Sequence, residues 1–192
     1  MNILISYAIA AERVEVHFSG CQISYCETGI GKVNAALAVY SAVLEQRPDC
    51  ILNMGTAGSV THPVGTIVSC GRFLDRDMEQ LKDFGVPYQH DFVDQLVQKP
   101  LFQGLDLAHV CNTGDSFVTE IIDQADVVDM ENFAVAEVCS RAGIPLLSVK
   151  YITDCIGENS IAHWEEELHD ANVGLQSFFD RWSGEWDKHT SR

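Results

Sequence analysis

Acidic side chains stand at the ends of two apolar runs, where their types could support ligand binding or proton transfer. In the first stretch, residues 127–136, two valines lead into Asp129 and Glu131, and an alanine-rich helical pattern follows. In the second stretch, residues 149–154, an apolar run ends at Asp154. Open α/β sheets bind their ligands at the carboxyl ends of their strands, so these acids are candidates for a ligand site.

A purely structural explanation competes with this functional one. Acidic residues in the first turn of a helix are stabilised by its positive end. Asp129 could therefore cap the helix, and Glu131 could be a surface residue of its first turn without a further role. Asp154 could likewise cap the turn that follows its strand. The first stretch alone favours a cap, and the repetition of the pattern in the second stretch shifts the balance toward a shared site.

Short apolar runs alternate with helical patterns and predict an α/β fold with a largely parallel or mixed sheet. Residues 14–18 and 22–27 are predicted to form a hairpin around Ser19-Gly20. The polar residues 76–104 predict a long loop that is helical in part, and the polar tail after Gly184 is predicted to fray. The other predicted strands cover residues 3–7, 50–54, 66–74, 107–111, 127–128 and 146–152.

Three helical patterns occupy the spaces between and after these strands. The first follows the glycines of residues 29–31 and ends near Gln46, because Pro48 stops it. The second covers residues 130–142. The third covers residues 162–182 and has an amphipathic pattern. Its predicted core positions are Trp164, Leu168, Val173, Phe178 and Phe179.

Composition limits the possible partners and compartments. The chain has 192 residues, of which 46% are hydrophobic, and this suits a single domain spanning residues 1–192. The formal net charge of -16 makes nucleic acid and anionic membranes poor partners, and no apolar run reaches membrane-spanning length. Seven cysteines without a Cys-x-x-Cys pair predict reduced thiols in a cytoplasmic protein.

Motifs for metals and nucleotide cofactors are missing from the sequence. His62, His90 and His109 have no acidic or cysteine partner at ligand spacing, so they are predicted to be surface or loop histidines. The glycines around Lys32 do not form a phosphate-binding loop, because Val33 follows the lysine where Ser or Thr is needed. No metal and no cofactor is therefore predicted.

Four stretches of the chain carry a family pattern. They are Thr28-Gly29-Ile30-Gly31-Lys32-Val33-Asn34-Ala35-Ala36, Asn53-Met54-Gly55-Thr56-Ala57-Gly58, Thr113-Gly114-Asp115-Ser116-Phe117-Val118, and Val128-Asp129-Met130-Glu131 with Thr153-Asp154. In this order they resemble the nucleoside phosphorylase/nucleosidase superfamily, and most closely its 5′-methylthioadenosine/S-adenosylhomocysteine nucleosidase branch. The resemblance implies a homodimer with a three-layer fold, in which helices flank a mixed, partly barrel-like central sheet.

The resemblance also implies catalytic roles for three carboxyl groups. Asp154 matches the aspartate that binds the purine at N7 and the 6-amino group and donates a proton to the leaving base. Burial at a strand end can raise the pKa of a carboxyl group, as that role requires. Glu12 matches the glutamate that activates water, and Glu131 matches the acid that accepts hydrogen bonds from the ribose hydroxyls.

A further set of residues is implied to bind the nucleoside substrate. Phe117 would stack on the purine, with a core phenylalanine as a close alternative, and Val118 would offer backbone groups to the base edge. Met130 would pack its thioether against the sugar, and Asp129 matches a second acid near the hydroxyls and water. The full implied set is Thr56, Ala57, Gly58, Phe117, Val118, Asp129, Met130 and Thr153.

The superfamily contains hydrolases and phosphorylases, so the nucleophile is inferred from the possible anion site. A phosphate nucleophile needs cationic donors, and Arg13 and Arg72 are available cations. Glu12 suits water and repels phosphate, so hydrolysis that releases adenine is the favoured prediction. The alternatives are a phosphate-dependent purine nucleoside phosphorylase, a futalosine-type hydrolase and a non-catalytic nucleoside-binding protein.

Overall fold

The computed structural model describes residues 1–118, 126–157 and 161–190, apart from the side chains of residues 161–163 and 165. Eight strands in this part of the chain form one sheet, and they confirm the predicted α/β class. The strands are β1 (Asn2–Tyr7), β2 (Gln22–Glu27), β3 (Cys50–Ser59), β4 (Ile67–Asp75), β5 (Gln89–Asp91), β6 (His109–Thr113), β7 (Val127–Asp129) and β8 (Leu146–Cys155).

Helices flank this sheet. Within the described residues they are α1 (Lys32–Gln46), α2 (Arg76–Glu79), α3 (Val93–Leu96), α4 (Asn132–Ala142) and α5 (Ile161–Thr190). Gly143 ends α4 in the left-handed conformation that glycine adopts without strain. Helices α1 and α4 pack on each other and on the sheet, whereas α5 packs on β3, β4 and β8. None of the described helices is both long and apolar enough to cross a membrane.

Five of the strands close into a barrel. Strand β3 pairs with β8 and β7, β4 pairs with β8 and β6, and β6 pairs with β7. The other strands extend the sheet beyond this ring, with β1 and β2 next to β3 and β5 next to β4. Parallel and antiparallel pairs both occur. The predicted mixed, partly barrel-like sheet flanked by helices is therefore confirmed.

The long strands β3 and β8 run parallel and are buried at nearly every position. Strands that are covered on both faces are expected to be apolar along their whole length, but the first halves of these two also contain the buried polar residues Asn53, Ser148 and Lys150. Both strands continue past the predicted apolar runs, because residues 55–59 and 154–155 also pair. The register shifts between Ala57 and Gly58, and this shift places Gly58 opposite Asp154.

Residues 14–18 do not form the predicted hairpin strand, and β2 pairs in parallel with β1. The alternating pattern that suggested a strand is real, since Val14, Val16 and Phe18 are buried between exposed neighbours. The backbone of this segment is hydrogen-bonded by side chains. Gln176 of α5 accepts from Glu15 N at 3.0 Å and donates to Glu15 O at 2.9 Å. Side-chain partners thus replace the neighbouring strand that the pattern predicted.

Helix α5 is longer than predicted, and the predicted frayed tail after Gly184 is helical up to Thr190. Its last turns are attached to the turn after residue 18, because Trp186 Nε1 donates to Ser19 O at 2.9 Å and Ser19 N donates to Asp187 Oδ1 at 3.3 Å. One predicted core position is wrong, since Val173 is 52% exposed. The buried positions of this helix are Ala171, Leu175, Phe179 and Trp182.

Residues 76–104, predicted as a partly helical loop, contain α2 and α3 but also the unpredicted strand β5. The prediction of a surface or loop histidine is wrong for His90, which lies on β5. Its Nε2 lies 2.8 Å from Glu137 Oε2, and its ring stacks on Phe133 with centroids 5.2 Å apart. His62 and His109 also meet, with ring centroids 5.1 Å apart. These partners are distant in sequence, so residue spacing could not reveal them.

Replacing Phe179 by alanine is expected to lower the free energy of unfolding by about 3–5 kcal/mol, because this side chain is fully buried and packs on Trp182. The matched control on the same helix is Val173→Ala, which should change it by less than about 0.5 kcal/mol. Urea unfolding followed by circular dichroism measures both values. Equal losses in the two variants would contradict the observed orientation of α5.

Candidate active site

All eleven predicted site residues line a single cavity of about 250 Å³. This volume lies near the lower end of the range for small-molecule sites, roughly 300–1,000 Å³. The predicted residues are Glu12, Thr56, Ala57, Gly58, Phe117, Val118, Asp129, Met130, Glu131, Thr153 and Asp154. The wall is completed by Ala8, Ile9, Ile30, Arg76, Ser116, Val128, Ile156 and Trp164. The lining comes mainly from the carboxyl ends of β3, β7 and β8.

Glu12 ends a short 3₁₀ turn after β1, is 4% exposed, and is held by backbone and hydroxyl donors. Its Oε1 accepts hydrogen bonds from Thr56 N and Thr56 Oγ1 at 2.8 and 2.7 Å. Its Oε2 accepts from Ala8 N at 3.1 Å and from Ile9 N at 3.4 Å. Gly55 allows this approach, because a Cβ there would lie 2.9 Å from Oε1. The hydrogen bond from Ile9 N to Oε2 is the longest of the four and therefore the weakest. A water molecule can replace this donor more easily than either donor to Oε1.

Asp154 lies on β8 against the irregular end of β3. The register shift brings Gly58 so close that a Cβ on it would lie 2.7 Å from Asp154 Oδ2. On the other side, Thr153 Oγ1 donates to Asp154 Oδ1 at 2.9 Å. The absence of a side chain at position 58 and the hydroxyl at position 153 therefore fix the orientation of a buried carboxyl group beside the cavity.

Asp129 forms a buried ion pair with Lys150, whose Nζ lies 3.1 Å from Oδ2. Thr113 Oγ1 donates to Oδ1 at 2.6 Å, and Asn132 N donates to both oxygens at 3.4 and 3.1 Å. Because Asn132 begins α4, Asp129 accepts the first backbone N–H of this helix. The N-cap position itself is occupied by Glu131, not by Asp129 as the structural explanation predicted. Burial, the largest single effect, would lower the pKa of Lys150, but the combined negative charges around it, of which Asp129 contributes most, outweigh burial and raise the pKa.

Glu131 connects the start of α4 to the start of α1. Its Oε1 accepts a hydrogen bond from Gly31 N at 2.8 Å, at the helix end where an acidic acceptor is favoured. Burial, reinforced by the charge of Asp129 and opposed by that of Lys150, raises the pKa of Glu131 to about 7. Among the described residues Oε2 has no hydrogen-bond partner, so it can accept a hydrogen bond from a ligand in the cavity.

Apolar side chains form much of the remaining wall. Phe117 and Val118 follow β6, and Val118 packs against Val128 and Ile156. Phe117 is 37% exposed, so it is not the core phenylalanine of the alternative interpretation. Met130 is half-buried beside the cavity. A partly exposed aromatic ring next to an apolar surface suits the stacking of a flat heterocycle.

Four buried carboxyl groups, those of Glu12, Asp129, Glu131 and Asp154, line a largely apolar cavity and define what the site can do. A carboxyl group that holds its proton can protonate a leaving group, and a carboxylate can activate water or bind hydroxyl groups. In surroundings of low polarity, carboxylates also attract a positively charged transition state strongly. Such a charge develops on the sugar when a glycosidic bond breaks.

A comparison with family models identifies the superfamily. A model described as "Phosphorylase superfamily" matches residues 9–177, which is most of the chain. The chain belongs to the phosphorylase superfamily.

Two relatives with similar sequences share the same name. The 5′-methylthioadenosine/S-adenosylhomocysteine nucleosidase of Geobacillus thermodenitrificans is 28% identical over 195 residues, covering 83% of this chain and 82% of the relative. The nucleosidase of the same name from an Exiguobacterium species is 25% identical over 189 residues, covering 83% of this chain and 78% of the relative.

Solved structures share the fold. The S-adenosylhomocysteine nucleosidase of Streptococcus pyogenes, in complex with 5-methylthiotubericidin, has a TM-score of 0.77 at 22% identity and covers 96% of this chain and 97% of its own. A nucleosidase of Colwellia psychrerythraea in complex with adenine has a TM-score of 0.75 at 23% identity, covering 95% of this chain and 94% of its own. At these identities the likeness establishes the architecture of this phosphorylase-superfamily chain.

Among the described residues, Arg76 is the arginine that borders the cavity, and both of its terminal nitrogens already donate to the protein. Nη1 donates to the backbone oxygens of Asn112 and Asp129 at 3.1 and 3.2 Å. Nη2 donates to Gly114 O at 2.9 Å and to Ser116 O. The side chain therefore joins the end of β4 to the loop that carries the cavity wall, and it is poorly placed to bind an anion as well.

Lys150, Arg76 and Trp164 border or support the site, although the sequence patterns predict none of them there. The patterns place Lys150 in an apolar strand and Trp164 in the core. Trp164 Nε1 instead donates to Thr56 Oγ1 at 2.9 Å. A lysine inside a buried strand requires a buried acid nearby, so this signal could have paired Lys150 with Asp129. No comparable signal was available for Trp164.

Replacing Glu131 by glutamine is expected to alter the pH dependence of stability in this phosphorylase-superfamily chain. Because the folded-state pKa is raised to about 7 from 4.5, the stability that Glu131 contributes is fully present below about pH 4.5 and is lost as pH rises through 7. The glutamine resembles the neutral acid. The variant should match the wild type near pH 4 and exceed it by up to about 3 kcal/mol at pH 8.

Urea unfolding at the two pH values measures this difference. Glu45→Gln is the control, since Glu45 is an exposed acid on α1 outside the cavity. A Glu131 variant that follows the wild type at both pH values would show that burial does not control the ionisation of this group.

Proposed function

We propose that this chain is a purine nucleosidase that hydrolyses the N-glycosidic bond of a 5′-methylthioadenosine or S-adenosylhomocysteine type nucleoside and releases adenine. The observation that carries the proposal is the placement of Glu12, Glu131 and Asp154 around one cavity beside an exposed aromatic ring. The names of the relatives, and the adenine bound in the Colwellia structure, support the same substrate class.

Asp154 acts on the purine side of the bond. It binds the base at N7 and the 6-amino group, while Phe117 stacks on the ring and Val118 offers backbone groups to the base edge. The bond between C1′ and the purine nitrogen breaks, its electron pair goes to the purine, and the purine takes the proton of Asp154. A neutral base is a far better leaving group than its anion. The contacts of Asp154 with Gly58 and Thr153 support this role by limiting how the carboxyl group can turn.

Glu12 acts on the water that attacks the sugar. A water that replaces Ile9 N at Oε2 is held beside the backbone of residues 56–58, and Glu12 takes its proton as the oxygen bonds to C1′. Glu131 accepts hydrogen bonds from the ribose hydroxyls through its free Oε2, and Met130 packs against the sugar. Asp129 keeps α4 and Lys150 in place. The products are the free base and a sugar that carries a hydroxyl group at C1′.

The arrangement of cations supports water rather than phosphate as the nucleophile. Arg13 pairs with Glu15 at 2.7 Å and Arg72 pairs with Asp91 at 3.0 Å, and neither arginine lines the cavity. Arg76 borders the cavity with both of its terminal nitrogens already bound to backbone oxygens. A phosphate in the cavity would therefore be repelled by the carboxylates, and no cation among the described residues around it is available to bind it.

Purified protein should release adenine from methylthioadenosine without added phosphate. Asp154→Asn and Glu12→Gln should each lower turnover by about 10²–10⁴-fold, because each removes a proton transfer. Both variants should keep the wild-type unfolding midpoint within a few degrees. Base release is followed by chromatography over a panel of methylthioadenosine, S-adenosylhomocysteine, adenosine, inosine and futalosine, each with and without phosphate.

Glu15→Gln is the matched control, because Glu15 is an exposed acid close to Glu12 in sequence but outside the cavity. Its turnover should equal that of the wild type. Release that requires phosphate would indicate a phosphorylase and remove the role of Glu12. Nucleoside binding without release from any substrate would indicate a non-catalytic binding protein, and fastest release from futalosine would reassign the substrate.

We further propose that the protein forms a homodimer through α1. Four apolar side chains of this helix lie in one stripe and are 56–69% exposed. They are Val33, Leu37, Tyr40 and Leu44. Contiguous exposed apolar surface of this kind marks an interface in most proteins. The stripe begins next to Ile30, which lines the cavity, so a second copy would cover surface close to the site.

Light scattering after size exclusion should give a mass near twice 21.2 kDa for the wild type. Leu37→Glu should give the single-chain mass, because a charge in the stripe opposes burial. Val173→Glu, an exposed apolar position on α5, should leave the mass unchanged. A wild-type protein that elutes as a monomer would contradict the proposed dimer.

We also propose that the protein is cytoplasmic and that residues 1–192 form a single domain. All seven cysteines are free, as is usual where thiols are kept reduced. One cooperative unfolding transition would support the single domain, and two separated transitions would contradict it. Cell fractionation that recovered the protein with oxidised thiols outside the cytoplasm would contradict the location.

A further inference from the structure

Three metal-ligating side chains come together where β3 ends and where β6 and β7 begin. His62 follows the end of β3, His109 is the first residue of β6, and Asp126 directly precedes β7. One ring nitrogen of each histidine and one carboxylate oxygen of Asp126 lie within 4.8 Å of one another. We propose that these three residues bind a divalent transition-metal ion, with Zn²⁺ as the expected species.

The geometry of His109 matches that of a metal ligand. Its Nδ1 lies 3.6 Å from Asp126 Oδ2, which is long for a hydrogen bond. Two ligands on one tetrahedral zinc ion, with bonds of about 2.0–2.1 Å, lie roughly 3.3–3.4 Å apart. The other nitrogen, Nε2, lies 3.3 Å from Asp106 Oδ2. A carboxylate on the far nitrogen is the usual support of a metal-bound histidine, because it fixes the tautomer and the ring orientation.

His62 supplies an independent observation that indicates a ligand. Its Nε2 is buried and has no hydrogen-bond partner among the residues that the structure describes. Its ring packs edge-on against that of His109, with centroids 5.1 Å apart and an angle of 80° between the planes. A buried ring nitrogen without a partner is destabilising, and a bond to a metal ion removes that cost.

The backbone around the three ligands is fixed without the metal. Ser59 Oγ donates to Asp126 O at 2.5 Å and accepts from His62 N at 2.9 Å. Val110 N donates to Asp126 Oδ2 at 2.8 Å, which orients the carboxylate next to His109. These hydrogen bonds hold residues from three strands in one cluster, so the entropy lost on binding an ion is small.

The donor set selects the class of ion. Two imidazoles with one carboxylate suit Zn²⁺, Co²⁺ or Ni²⁺, whereas Mg²⁺ and Ca²⁺ prefer sites made of oxygen atoms. Three protein ligands leave at least one position for water. None of the three residues lines the cavity. The ion therefore joins the end of β3 to β6 and β7, and this inference does not depend on the proposed enzymatic activity.

The test uses the full chain without a polyhistidine tag, treated with a chelator and then titrated with Zn²⁺ by calorimetry. One Zn²⁺ should bind per chain and raise the unfolding midpoint. Asp106→Asn should weaken Zn²⁺ binding by about 10–100-fold, and His62→Ala and His109→Ala should weaken it further. His17→Ala and His169→Ala, at exposed histidines outside the cluster, should bind Zn²⁺ like the wild type.

Cysteine is the competing ligand, and Co²⁺ distinguishes it. The cluster should give the weak d–d absorption of a nitrogen and oxygen site, whereas a strong thiolate-to-cobalt band would place the ion on cysteine and overturn the proposal. Failure to bind Zn²⁺, or equal binding by the wild type and all cluster variants, would overturn it too. His62→Gln keeps the test decisive if the alanine variants unfold, because glutamine fills the space and is a poor ligand.

Discussion

The parallel pairing of β3 with β8 is the constraint on which the rest of the structure depends. The buried first halves of these strands build the core, and their last residues form the wall of the cavity. The register shift at Ala57 sets how closely Gly58 approaches Asp154. Stability and site geometry are therefore inseparable here, because any change that moves one strand along the other also moves a carboxyl group.

Several charged side chains are buried around the cavity, and two cations lie close to the buried acids. Lys150 compensates Asp129 below the cavity, and Arg76 is bound by backbone oxygens at its side. Burial and the charge of Asp129 raise the pKa of Glu131, and the charge of Lys150 opposes this shift only in part. Such an environment favours a ligand that brings hydroxyl donors or positive charge and disfavours an anion.

Local sequence patterns predict the α/β class and the approximate positions of the barrel strands, and the resemblance to a superfamily supplies the candidate site residues. Neither predicts the contacts between distant segments. Residues 14–18 alternate like a strand, yet their partner is the side chain of Gln176. Val173 has the spacing of a core residue and lies on the exposed side of α5. His90 gains Glu137 through the sheet. In each case the competing partner is far along the chain, and periodicity carries no information about it.

Within the described residues, only one registered backbone pair joins β3 to β7 where the barrel closes beside the cavity. This pair is Gly58 with Val128, and both residues line the cavity. Local opening is favoured where few pairs hold two strands together, so we expect this junction to open at a lower free-energy cost than the continuous pairing of β3 with β8. A ligand that touches both residues binds the closed barrel alone and shifts the opening equilibrium by mass action. Occupancy of the cavity and the integrity of the barrel are thus thermodynamically linked.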